Sequence, residues 1–245
     1  MSVQVTGIEG IPLIQKGDNI AKILCKKTEF VDGDIVCIAS TIVAKAFGYT
    51  RALADIKPSE HALEISKKTG EDPRYLQGIL DSSTDIITEF PIFLAELPFG
   101  HVGVHAGVDN SNIEGENIIL LPKDPMKDAT RIRDEIKSVC NKTVGVIITD
   151  TCGRAFRRGQ CGAAIGWAGM TAIKDFRGDH DLFGLELEVT EEAVVDEIAA
   201  FSNFIMGESN NGIPAVKFSG CGSWKGHDSL YFTKEEDFIR KAIHK

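Results

Sequence analysis

Apolar residues fall along this chain in two kinds of pattern. Residues 35–39 (IVCIA) and 144–148 (VGVII) are short, nearly unbroken runs rich in β-branched side chains. Such runs suit strands covered on both faces. Elsewhere the spacing is helical. Ile20, Ile23 and Leu24 share one face of a helix for which Asp18 is the expected N-cap. Residues 58–81 read as two helical pieces broken at Gly70, the second opened by Asp72-Pro73, a cap followed by proline at the first helical position. Asp124-Pro125 repeats that signal and starts a helix to about Val139. Thr190 is the expected cap of a helix with Val194, Ile198, Phe201 and Ile205 as its apolar stripe. Thr233-Lys234-Glu235-Glu236 is a capping box for a last helix.

The remaining strands are weaker signals. Residues 5–14 read as a strand interrupted at Gly10-Ile11-Pro12. Proline there marks an edge, and Gly10 to Leu13 either offer free backbone groups to a ligand or form an ordinary kink. Asp32-Gly33-Asp34 is a turn into the run at 35–39. Residues 85–104, with Pro91 and Pro98, suggest strands in a hairpin-like arrangement. Residues 185–189 (LELEV) alternate as a half-buried strand, and 215–218 form a short one. No repeat, low-complexity tract or linker interrupts the series. The expectation is a single unit over 1–245, α/β with an α+β tendency, its mixed sheets flanked by helices. G-x-x-x-x-G-K-[ST] occurs nowhere, so no P-loop is expected, nor a Rossmann core.

Composition narrows the function classes. An apolar fraction of 43% and a charged fraction of 26% are ordinary for a globular protein. A formal net charge of -9 argues against general binding to nucleic acid or an anionic membrane. No apolar run approaches the ~18 residues of a membrane span, and Met1-Ser2-Val3-Gln4 lacks a signal pattern. A cytoplasmic setting is expected. Six cysteines without a C-x-x-C pair argue against a zinc ribbon, a thioredoxin motif or a disulfide framework. Cys152 and Cys161 flank an arginine-rich loop and are near enough in sequence to meet. Small buried thiols are the plainer reading.

The candidate chemistry sits where the apolar runs stop. The run at 144–148 ends in Thr149-Asp150-Thr151, a carboxylate and two hydroxyls at a strand's carboxyl end, where open α/β sheets keep ligands. Arg154, Arg157 and Arg158 follow between Gly153 and Gly159, a local anion site in an acidic chain. The run at 35–39 ends in Ser40 and Thr41, with Lys45 one helical turn on. Those groups suit a phosphate, or equally a helix start capped by Ser40 or Thr41 with Lys45 in solvent. His105 to Asn112 is a further strand end carrying Asp109, or an Asx turn. Met206-Gly207-Glu208-Ser209-Asn210-Asn211-Gly212-Ile213 is a polar loop with one carboxylate between two glycines. A carboxylate beside a glycine-flanked arginine loop suggests a metal and a phosphate handled together.

Several of these stretches agree on one family. GIPLI, STIVAKAFG, AGVDNSN, ITDTCGRAFRRGQCGAAIGWAGM, KDFRGDHDLFGLELEVT and MGESNNGIP occur in one order from about Thr6 to Ser219. Together they resemble the coenzyme F420-0:L-glutamate ligases, in the stand-alone archaeal form rather than the fused bacterial one. The resemblance implies an intertwined, family-specific fold, a homodimer, and a GTP-dependent reaction. GTP would phosphorylate the terminal carboxylate of F420-0, and the amine of L-glutamate would displace phosphate. A second, γ-linked addition would give F420-2. Carried over by position, Gly10, Ile11, Pro12, Leu13, Ser40, Thr41, Lys45, Asn112 and the loop from Met206 to Ile213 fall on nucleotide-binding positions. Asp109, Asp150, Thr151 and Glu208 fall on positions for two divalent ions, Mg²⁺ or Mn²⁺, with K⁺ a further candidate. Position 208 can be glutamine in relatives, and glutamate here adds charge to the second ion's site. Oxygen ligands suit such ions rather than zinc. Two other readings stay open from the residues: a metal-dependent nucleotide phosphohydrolase, and a non-catalytic deazaflavin or nucleotide carrier.

Overall fold

The computed structural model describes residues 2–243. In chain order it runs β1 (Gln4–Gly7), α1 (Ile20–Lys27), β2 (Ile35–Ala39), α2 (Ser40–Phe47), β3 (Thr50–Ala52), α3 (Glu60–Thr69) and α4 (Pro73–Ser82). Three short strands follow, β4 (Asp85–Thr88), β5 (Leu94–Glu96) and β6 (Val102–Val104), then β7 (Asn117–Ile119) and α5 (Pro125–Cys140). The long hairpin β8 (Gly145–Gly153) and β9 (Gln160–Ala168) comes next, then β10 (Ile173–Asp175) and β11 (Glu191–Glu192). The chain closes with α6 (Val194–Met206), β12 (Ala215–Ser219), β13 (Gly226–His227) and α7 (Phe238–Ile243).

The two unbroken apolar runs become β2 and β8, hydrogen-bonded in parallel inside a five-stranded sheet of order β1-β12-β2-β8-β9. Its other pairings are antiparallel. Alternate residues of the runs face opposite ways. Val36, Ile38, Val146 and Ile148 enter one core with α1 and α5, while Ile35, Cys37 and Ile147 enter the other with α6. Both faces are therefore buried, which is why neither run alternates in polarity. The first core continues over α3, α4 and β5. A mixed α/β fold with helices flanking mixed sheets is what the pattern predicted.

Local signals set most boundaries. Asp72 accepts the Arg74 backbone N–H at 2.8 Å and Asp124 that of Lys127 at 3.0 Å, each ahead of proline in its helix's first turn. Gly70 ends α3 in the left-handed region at φ 80°, a conformation without penalty only for glycine. The segment 85–104 forms a three-stranded antiparallel sheet, β4-β5-β6.

Six expectations need correction. The cap of α1 is Asn19, whose Oδ1 accepts from Lys22 N–H at 2.8 Å, whereas Asp18 caps the preceding turn through Gln15 N–H. The first strand stops at Gly7, so Gly10 to Leu13 lie in irregular chain beyond it. Neither Ser40 nor Thr41 caps α2. Ala39 holds the cap position without a side-chain bond. Residues 185–189 form no strand, only an isolated bridge between His180 and Glu186. Leu185 is 70% and Val189 84% exposed, so two of the three apolar positions lie open rather than on a core face. Thr190 does not cap α6: Glu191 and Glu192 first pair with β10, and the buried stripe is Val195, Ile198, Ala199, Ser202 and Met206. At the last helix the Glu236 carboxylate does take the Thr233 backbone N–H, but this closes a turn. Asp237 accepts the Ile239 and Arg240 backbone N–H groups at the head of α7.

Candidate functional site

β8 outruns its neighbour. β2 ends at Ala39, opposite Thr149, and Asp150, Thr151 and Cys152 project beyond it, paired only with β9. Between Ile148 and Thr149 the β8–β9 register shifts by one residue. Such a bulge re-aims the side chains that follow it. Asp150 is therefore aimed by its strand and by α2, where Ser40 donates its hydroxyl to Asp150 Oδ1 at 2.7 Å.

A second segment meets it. His105, Ala106 and Gly107 all have φ between 51° and 64°, a left-handed turn that non-glycine residues rarely adopt. Strain of this kind clusters at functional sites. A Cβ on Gly107 would lie 2.3 Å from Leu121 Cδ1 and 3.4 Å from Asp150 Oδ2, so the turn packs directly against the carboxylate. Two residues on, Asp109 is fixed by a pair of backbone bonds to Ile119 and accepts the Ser111 backbone N–H at 2.8 Å. The Asx turn and the strand-end carboxylate are thus the same feature.

The third segment is the loop after α6. Thr151 donates its hydroxyl to Glu208 Oε1 at 3.0 Å, and Asn203 Nδ2 donates to both Glu208 Oε1 and Thr151 Oγ1. The four oxygen-bearing residues picked from sequence therefore come together from three segments. Loss of solvation pushes the Asp150 carboxyl up to about 6, and the charges of Asp109 and Glu208 add to that rise against the hydrogen bonds from Ser40 and Thr151. Among the described residues no Lys, Arg or His forms an ion pair with Asp109, Asp150 or Glu208. Hard oxygen donors with uncompensated charge are a set that suits divalent cations. A second cluster, Asp175, Glu191 and His227, is different, because Arg177 pairs with both of its carboxylates.

All four residues line one cavity of about 770 Å³. Ile11, Pro12, Leu13, Thr41, Lys45 and Asn112 share its wall, as do Met206 to Asn210, Gly212 and Ile213. Lys45 donates its ammonium to the Asn112 carbonyl, and burial lowers its pKa. Gly10, Ser40 and Asn211 lie outside the lining. Ser40 is buried and bonded to Asp150, which makes it a support for that carboxylate. Arg154, Arg157 and Arg158 also lie outside the lining, exposed at the β8–β9 hairpin tip, while Gly153 and Gln160 at its base belong to the wall. Of the two glycines that bound the arginine loop, only Gly159 has positive φ, joined by Phe156.

Sequence reading missed Tyr75 and His101 in the lining and Asn203 behind it, and took Cys152, also in the lining, only as a thiol beside the arginine loop. His101 is buried against Phe99 and Tyr231, and desolvation lowers its pKa to about 4. Asn203 left no signal beyond being a polar residue in the last turn of an apolar helix.

Comparison with known proteins places the chain in a family. The model of the F420-0:Gamma-glutamyl ligase family matches residues 9–220. A protein of Archaeoglobus fulgidus named coenzyme F420:L-glutamate ligase is 44% identical over 245 residues, covering 99% of this chain and 98% of its own. Proteins of the same name from Methanosarcina mazei and Haloarcula marismortui are 45% and 42% identical, each covering 97% of its own length and 99% and 98% of this chain. On that coverage the chain belongs to the F420-0:gamma-glutamyl ligase family.

Proposed function

We propose that this protein joins L-glutamate to F420-0 at the expense of GTP, and then adds a second glutamate through its γ-carboxylate. What carries this reading is the meeting of Asp109, Asp150, Thr151 and Glu208, without an ion-pair partner among the described residues, in one cavity that Lys45 and most of the loop at 206–213 also line. A triphosphate and a carboxylate repel each other, so the site must neutralise charge and align the two groups. Asp109 and Asp150 would hold one divalent ion and Thr151 with Glu208 a second. When bound, such ions draw charge from the phosphate oxygens. Lys45 adds a point charge from α2, and the backbone of Ile11 to Leu13 and of the 206–213 loop clasps the nucleotide. The acceptor carboxylate attacks the γ-phosphorus, GDP leaves, and an acyl phosphate remains. The amine of glutamate then attacks the acyl carbon, phosphate departs, and the amine loses a proton. The cavity's task in between is to keep water from the acyl phosphate.

A homodimer belongs to the same reading. Leu182, Phe183, Leu185 and Val189 are 99%, 96%, 70% and 84% exposed on one connection, an apolar set that a second copy would cover. Sedimentation at micromolar concentration checks this: a monomer sinks the dimer.

The decisive assay incubates the protein with F420-0, GTP, Mn²⁺ and glutamate and weighs the product. A gain of one or two glutamyl residues with GDP release is the expected result. Full-rate phosphate release without acceptor or glutamate would instead indicate a phosphohydrolase, and bound deazaflavin without turnover a carrier. We also assign the hairpin-tip arginines to the acceptor, since Lys45 and the residues that would hold the ions serve the nucleotide, and guanidinium forks match a phosphodiester and a carboxylate. Arg154→Lys or Arg157→Lys should raise KM for F420-0 roughly tenfold, the worth of one charge-assisted bond, and leave KM for GTP unchanged. The reverse pattern, or no effect from any of the three arginines, defeats the assignment.

A further inference from the structure

At the far end of the sheet from the cavity, α1 and α5 bring two thiols together across 115 residues of sequence. Cys25 lies in the last turn of α1 and Cys140 is the last residue of α5. Their sulfurs are 2.9 Å apart, closer than two unbonded sulfurs rest in comfort. The thiols are also oriented: Cys25 donates to Cys140 Sγ, and Cys140 donates to the Ile136 carbonyl at 3.2 Å. Both residues are half-buried, so a small reagent can reach them.

The surroundings hold both helix ends in place. Asn141 closes α5 in the left-handed region, Thr143 N–H is bonded to Asp32 Oδ1 at 2.6 Å, and Gly33 N–H to the Thr143 carbonyl at 2.9 Å. The connections leading into β2 and β8 are thereby tied side by side just beyond the two thiols. A bond between the sulfurs would ask for a shift of under about an ångström, given a disulfide length of ~2.05 Å.

We propose that Cys25 and Cys140 are a dithiol modification site, which small disulfides convert to an intramolecular disulfide linking α1 to α5. One thiolate attacks the reagent RSSR and releases RS⁻, leaving a mixed disulfide. The second, once deprotonated, attacks the protein sulfur of that bond and releases the other RS⁻. Two protein thiols are oxidised, RSSR is reduced to two RSH after protonation, and nothing else is consumed. Burial and the neighbouring thiol push Cys25 up to about 12, so closure is slow at neutral pH and quickens as pH rises.

The competing pair is Cys152 and Cys161, cross-strand partners beside the candidate site. The two differ in consequence. Closing the remote pair leaves the cavity untouched and removes freedom from an unfolded loop of 115 residues. That raises the unfolding midpoint by roughly 5–15 °C. The test incubates the full-length protein with oxidised glutathione at pH 8.5, digests it without reduction, and maps cross-linked peptides by mass spectrometry. A Cys25–Cys140 peptide pair, a raised midpoint reversed by dithiothreitol, and loss of both in Cys140→Ser are expected. Turnover of oxidised protein should match that of reduced protein. Two freely alkylated thiols, glutathione held on Cys140 without closure, or cross-linking only at Cys152–Cys161 would each overturn the proposal.

Discussion

Asp150→Asn should lower turnover by about a thousandfold or more, equivalent to ~4 kcal/mol of lost transition-state stabilisation, and should stabilise the metal-free protein at neutral pH. The substitution is nearly isosteric. Asparagine Oδ1 can still accept the Ser40 hydroxyl, and the position is set by the backbone of β8. What disappears is a negative charge that is costly to bury beside Asp109 and Glu208. The pH dependence follows from the direction of the shift. The folded carboxyl holds its proton up to about 6, against 3.8 ordinarily. Between those values the folded state binds more protons than the unfolded one. Its contribution to stability is therefore complete below about 3.8 and lost as pH rises through about 6. In EDTA the variant should melt with wild type at pH 4 and above it at pH 7. Mn²⁺ should raise the wild-type midpoint at pH 7 and leave the variant's nearly unmoved. Near-full activity of the variant at saturating Mn²⁺ would remove Asp150 from any metal role.

Asp150 was legible in the sequence because strand and chemistry coincide there: the apolar run stops and a carboxylate begins. The same held for Asp72-Pro73 and Asp124-Pro125, where cap and proline act within one turn. Legibility failed where a tertiary contact decides. Nothing local distinguishes Ser40 as a buried support for Asp150 from a phosphate-binding hydroxyl. The difference lies in a contact 110 residues away. Residues 185–189 carry a true alternation, yet Leu185 and Val189 lie exposed and only Leu187 is half-buried. The left-handed turn at His105 and Ala106 was hidden because alanine gives no sign of positive φ and histidine, though enriched there, is still uncommon in it. Lys45 and Asn112 were found separately by pattern and are joined only by the fold.

The helix behind the site rests on one missing side chain. Gly162 on β9 has an ordinary negative-φ backbone, so conformation does not demand glycine there; space does. A Cβ at this position would sit 2.3 Å from the Ala199 carbonyl oxygen, 2.8 Å from its carbon and 2.9 Å from Asn203 Cβ. Two of those three atoms belong to the backbone of α6 and cannot rotate away. Gly162→Ala must then lift α6 from the sheet, and with it Asn203, which bonds Thr151 and Glu208. Overpacking of this kind costs about 1–3 kcal/mol, more where backbone has to move. Gly145→Ala is the control. Its Cβ would meet Met170 Cε at 2.0 Å, a worse overlap on paper, but with the end of a flexible side chain. Methionine can swing aside, and alanine gains roughly 0.4–1 kcal/mol from the less free unfolded chain. Urea unfolding should therefore show Gly162→Ala destabilised by about 2–4 kcal/mol and Gly145→Ala within about 1 kcal/mol of wild type. The Gly162 variant should also need more Mn²⁺ for half-maximal turnover, because the Thr151–Glu208 pair loses its support, whereas the Gly145 variant should not. Equal midpoints for the two variants would show that α6 does not rest on β9 through this contact.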